Sequence, residues 1–219
     1  MTSLSAISLA VSSDGTEPLK LTIAWTDPAG AANTPSLNPS GSKLMNDLDI
    51  VVSDGINEYR PYVLNPANPG ALATTGNNTR DNVEQVVVPN PAPGLYSVII
   101  SHKGSGLQPS GSQALSLIVS GQSKYNIVSL TAGATDLMGG TSTQATVTLD
   151  NAAPAGGRTV TVFDNSAATT VPASVFVPAG QTTANFAITA NPVAVDTLSK
   201  VSARLNGITK VLNVTVRRA

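Results

Sequence analysis

Apolar and polar residues alternate in short runs along the chain, and each run is closed by proline, glycine or asparagine. Leu19, Leu21, Ile23 and Trp25 alternate with Lys20, Thr22 and Ala24 before Asp27-Pro28-Ala29-Gly30 ends the run. A period of two places successive side chains on opposite faces, which is the pattern of a half-buried strand and not of a helix. Leu48 to Val52 forms a second such run, closed by the turn pair Asp54-Gly55. Val83 to Val88, Tyr96 to Ser101 and Ala114 to Val119 follow, separated by proline-rich stretches such as Asn65-Pro66-Ala67-Asn68-Pro69-Gly70. Proline lacks an amide donor and resists helix formation there.

The alternation pauses around Ser120 to Lys124, where the sequence predicts a domain boundary: 1–121 as one unit and 122–219 as another. Seven further strands are predicted beyond it: Tyr125–Thr131, Ser142–Leu149, Thr159–Phe163, Ser174–Val177, Thr183–Thr189, Lys200–Leu205 and Lys210–Val216. Asn206-Gly207 joins the last two with a strong hairpin signal. Strands at this spacing predict an immunoglobulin-like sandwich. The expected fold class is all-β throughout.

Composition narrows the function. The 219 residues suffice for two domains of about 100 residues each. Charged residues make up 11 %, less than half the usual ~25 %. A net charge of −1 with no Lys/Arg cluster argues against nucleic acid, whose phosphates require one. The pair Arg217-Arg218 reads as a frayed tail. No apolar run approaches the ~20 residues of a membrane helix. No signal peptide is visible, so Met1 reads as a cloning start with the natural chain beginning upstream. The absence of cysteine excludes disulfides and thiolate metal sites.

Five segments of the first half carry a resemblance. They are Pro18 to Pro28, Leu44-Met45-Asn46-Asp47-Leu48-Asp49-Ile50, Asp81-Asn82-Val83-Glu84-Gln85-Val86, Pro93-Gly94-Leu95-Tyr96, and Gln113 to Gly121. In this order they resemble the β-barrel domain that follows the catalytic domain in certain secreted subtilisin-like serine peptidases. The resemblance implies a jelly-roll-like barrel or sandwich, similar to the accessory domain of proprotein convertases, and a catalytic domain upstream as its partner. The loop Gly76-Asn77-Asn78-Thr79-Arg80 is shorter than the family's Gly- and Asn-rich counterpart. The second half resembles the Thr/Val/Ala-rich immunoglobulin-like repeats of bacterial surface and secreted proteins, through Pro154-Ala155-Gly156-Gly157, Val171 to Val175 and Val177 to Thr182.

No catalyst is expected within the chain itself. A serine peptidase needs a histidine base beside its serine and a carboxylate to orient it. The single histidine, His102, near Ser101 and Ser105, reads as an exposed turn residue. Asp47, Asp49, Asp81 and Glu84 could supply a glycosidase pair. Aromatic residues are only 4 %, however, and Trp25 reads as core.

The remaining question is calcium. On a strand, Asp47 and Asp49 share a face and repel unless a cation or donors intervene. Ca²⁺ takes six to eight oxygen ligands. Calcium-bearing barrels occur in the resembled family, so Asp47, Asp49, Asp27, Asp81, Asn82 and Glu84 are the candidate ligands. The alternatives are an Asx-turn at Asp27, capping by Asn46 and Asp47, and pairing with Arg80. Asp136, Asp150, Asp164 and Asp196 read as solvated loop positions. The sequence thus predicts a non-catalytic accessory region of a secreted peptidase that meets protein or polysaccharide, or, in the alternative, a cell-surface adhesion or carbohydrate/matrix-binding module. Either lies outside the cell.

Overall fold

The computed structural model describes residues 6–32, 34–35, 37, 41–104, 106–109 and 111–218, and every regular element among them is a strand. The chain divides into two units, Met1–Gln122 and Ser123–Ala219.

The first unit holds β1 (Ile7–Ser13), β2 (Leu19–Trp25), β3 (Asp47–Ser53), β4 (Glu58–Tyr59), β5 (Tyr62–Val63), β6 (Thr74–Thr75), β7 (Val83–Val88), β8 (Gly94–Lys103) and β9 (Leu115–Ser120). Two antiparallel sheets, β1-β8-β3-β4 and β7-β2-β9, form the sandwich, with β5-β6 as a small separate ribbon. The long strands change sheet at every step along the chain, giving a jelly-roll-like winding. Among the described residues the sheets remain separate and do not close into a barrel.

The alternation works as read. Leu19, Leu21, Ile23 and Trp25 point inward from β2, and Leu48, Ile50 and Val52 from β3. Val86, Val88, Val98 and Ile100 complete the layer, each fully or almost fully buried. Burial of one such side chain contributes about 1.5–3 kcal/mol. Trp25 belongs to this core. β1 went unread in the sequence because Ser and Ala dilute its apolar register, and only its last three residues are buried.

The second unit comprises β10 (Ile127–Ala132), β11 (Asp136–Met138), β12 (Ser142–Leu149), β13 (Arg158–Asp164), β14 (Thr169–Thr170), β15 (Ser174–Val177), β16 (Thr183–Ala190), β17 (Thr197–Leu205) and β18 (Ile208–Arg217). Its sheets run β10-β12-β16-β14 and β11-β18-β17-β13-β15. The first strand is split: β10 pairs antiparallel with β12, whereas β11 lies parallel to the last strand, β18. With β12 and β16 facing β13, β17 and β18, this is an immunoglobulin-like sandwich. Val147, Val160, Ile188, Val201 and Val214 fill its own core. Asn206 and Gly207 both adopt positive φ, 50° and 80°, as a two-residue type I′ hairpin requires. The two strands beyond the seven predicted, β11 and β14, have three and two residues, too short to show a period.

Candidate functional site

The densest group of ionisable side chains lies where β3 faces β7. In β3, Leu48 and Ile50 point into the core, leaving Asp47 and Asp49 on the other face. β4 covers the edge of β3 only at Val52 and Ser53, so the amide of Ile50 has no strand partner. Glu84 supplies one. It occupies an inward position of β7, in register with Val86 and Val88, and its Oε2 accepts the Ile50 N–H at 2.9 Å. Across the sheet, β8 sets Ser101 opposite Asp49 and Lys103 opposite Asp47. Lys103 reaches diagonally and pairs Nζ with Asp49 Oδ1 at 2.5 Å.

Both carboxylates are closed to solvent, Glu84 at 1 % exposure and Asp49 at 4 %. Burial without full compensation pushes the Glu84 carboxyl up to about 8. The Ile50 amide opposes this shift, Asp49 and Asp47 reinforce it, and Lys103 opposes it. Asp47 is also raised, first by burial and then by Asp49, against Lys103 and His102. Three carboxylate oxygens (Asp47 Oδ1, Asp49 Oδ2 and Glu84 Oε1) are buried without a hydrogen-bond partner. At neutral pH, Glu84 therefore keeps its proton.

The other calcium candidates lie apart from this trio in their bonding. Asp27 caps the approach to β3, accepting the amides of Met45 at 2.7 Å and Asn46 at 2.9 Å. Asp81 accepts the Asn78 side-chain amide at 2.9 Å. Asn82 ties the end of β2 by donating to the Trp25 carbonyl at 2.6 Å. Among the described residues, no three or more His, Asp or Glu side chains are grouped as around a metal ion. The oxygens that suit a hard cation narrow to the three orphaned ones, and these would have to close on an ion to hold it.

Several placements differ from the sequence reading. His102 is not in a turn: it lies within β8 opposite Leu48, and its Nδ1 is buried without a partner. Ser105 lies outside the described residues. Arg217 is not a frayed tail. It ends β18 and is held by Asp136 at 2.6 Å and Asp196 at 2.8 Å, so those two aspartates are clamps and not free loop residues. Asp150 and Asp164 are likewise engaged, with Asn126 and Thr169. Sequence reasoning missed Lys103 as the cation of the cluster, because only cross-strand register brings it to Asp49.

No protein-family model matches the chain, and no curated protein matches it. Among solved structures, the D00-D0 domain of intimin aligns with 90 % of this chain and 99 % of that chain, at 14 % identity and a TM-score of 0.34. So loose a superposition carries no argument about function.

Proposed function

We propose that this chain is a non-catalytic binding and spacing region of an exported or cell-surface protein. One observation carries the reading: its richest ionisable cluster is spent inside the fold. Glu84 satisfies the open edge of β3, and Asp49 holds Lys103 of β8. Groups sealed at 1 % and 4 % exposure are positioned to hold strands together, whereas chemistry on a substrate needs its acids and bases within reach of it. Two sandwiches, each with its own core, supply exposed sheet faces. The test is to incubate the purified chain with casein, chromogenic peptides and glycosides, and to cosediment it with insoluble collagen, cellulose and peptidoglycan. Retention on a polymer without turnover is expected. Turnover of any substrate, or no retention on any polymer, refutes the reading.

A second reading, the accessory region of a subtilisin-like peptidase, is favoured by the five sequence segments, whose inward residues build the first core. Coding DNA upstream of Met1 tests it, since that reading requires an in-frame Asp, His and Ser catalytic domain. Under either reading the calcium candidates are Asp47, Asp49 and Glu84, which are not grouped around a common point among the described residues, so an ion would have to draw their orphaned oxygens together and displace the Glu84 proton.

A further inference from the structure

The outer face of the immunoglobulin-like unit concentrates features that its core does not need. Register places Phe176 of β15 opposite Thr159 of β13, Thr161 opposite Arg204 of β17, and Phe163 opposite Ser202. Paired residues share a face, and the alternate residues Val160, Val162 and Val175 point into the core. The two rings therefore stand on the solvent side, 54 % exposed at Phe176 and 41 % at Phe163. The chain has three phenylalanines, and only Phe186 is buried in a core.

Both rings are held in place. Phe176 lies against the backbone of Gly157, where a Cβ would collide with the ring and with the Val177 carbonyl oxygen. Phe163 carries the Arg204 guanidinium over its face, 6.0 Å from the ring centroid. An exposed aromatic side chain fixed before binding loses less entropy when a ligand stacks on it.

Charge on this face has one sign. Arg204 and Lys200 have no carboxylate partner among the described residues: Asp164, the acid of β13 opposite Val201, shares the core-side face and accepts the Thr169 hydroxyl, and Asp136 and Asp196 are both spent on Arg217. Residues 123–219 hold seven Lys and Arg against four Asp and no Glu. Thr159 and Thr161 add neutral donors and acceptors between Phe176 and the cations, and Asn213 adds another beyond Lys200 on β18. Four residues of β13 separate the levels of Phe176 and Phe163, about 13 Å along the strand. That span suits a short oligosaccharide segment and exceeds a single sugar.

We propose that the outer face of β15-β13-β17-β18 binds an anionic polysaccharide, with Phe176 stacking on a sugar ring and Arg204 and Lys200 pairing with its carboxylate or sulfate groups. The inference rests on the binding-module reading above and specifies its ligand. Affinity electrophoresis of the full chain in gels containing polygalacturonate, heparin or neutral dextran tests it. Uronate and sulfate are separated by the first two gels. Retardation by at least one polyanion and none by dextran is expected. Phe176→Ala should weaken that retardation about tenfold, with Phe176→Tyr retaining it, because the ring and not the charge is lost. Arg204→Gln should abolish most of it.

Phe176 and Arg204 are on the exposed face, so the melting curves of the variants should overlay the parent and exclude misfolding. The proposal is overturned by retardation in no gel, by equal retardation in dextran, or by polyanion binding indifferent to Phe176→Ala, which is simple ion exchange. Retention on collagen together with retardation in no polyanion gel would leave the binding-module reading standing and remove this one.

Discussion

Replacing Glu84 with glutamine isolates the consequence of burying a carboxyl against β3. The group sits near 8 in the fold against an ordinary 4.5. Between those values the native state holds a proton that the unfolded chain has released. The unfolded state binds fewer protons there, so stability falls as pH rises. The stabilisation is complete below 4.5 and is lost progressively as pH passes upward through 8. One pH unit inside that window is worth about 1.4 kcal/mol for a single group. Across the whole interval the ceiling is about 5 kcal/mol, and solvent relaxation reduces it.

The glutamine side chain keeps an oxygen for the Ile50 amide and never ionises. The expected outcome is that the native protein loses stability from about pH 5 to about pH 8 while Glu84→Gln loses markedly less. Urea denaturation followed by fluorescence suits the measurement, because the single tryptophan, Trp25, is 5 % exposed in the first core and reports on that unit alone. Parallel stability–pH lines for the two proteins would refute the assignment of the proton to Glu84.

Three further outcomes follow from the same geometry. Near pH 8, where Glu84 gives up its proton, Ca²⁺ at 100 times its Kd should raise stability by about 2.7 kcal/mol over a chelator control. Coincident melting curves remove calcium from Asp47, Asp49 and Glu84. Leu48→Ala empties a fully buried position of β3 and should cost about 2–5 kcal/mol in urea denaturation, whereas a cost under about 1 would show that this part of the core collapses freely. Gly121→Ala sets a Cβ against the Pro18 carbonyl at φ +76° and should destabilise the first unit by more than about 1 kcal/mol, with an unchanged melting temperature counting against that close approach.

What could be read in advance was whatever repeats with a period of two. β2, β7, β12 and β15 begin and end where the alternation does, because their inward positions are mostly aliphatic. Asn206-Gly207 was legible because few residue pairs accept positive φ twice in succession. The site was legible in part. Glu84 shares a register with Val86 and Val88, and a carboxylate at an inward position signals a structural task. Lys103, in contrast, lies 54 residues from Asp49, and nothing local shows that they meet. Arg217 lies 81 residues from Asp136 and was hidden for the same reason.

The two units place their polar chemistry in opposite positions, and this difference bears on what each can do. In the first, two acids, Glu84 and Asp49, are buried at the open half of the β3 edge, where Glu84 takes the Ile50 amide and the exposed Lys103 reaches Asp49. A glutamine would satisfy that amide without any charge, and an apolar neighbour would avoid the desolvation cost altogether. Retaining ionisable groups there couples the stability of the β3–β7 contact to pH, and to any cation able to replace the proton. In the second unit the inward positions are almost wholly Val, Ala, Ile and Leu, with Phe186 the aromatic among them, and Phe163, Phe176, Lys200 and Arg204 stand on the outer face of the β15-β13-β17-β18 strands. A sandwich packed almost entirely with aliphatic side chains gains little in stability from a half-exposed Phe176 fixed on Gly157. The proposed polysaccharide contact would account for its placement, and it is the position at which substitution should separate binding from stability.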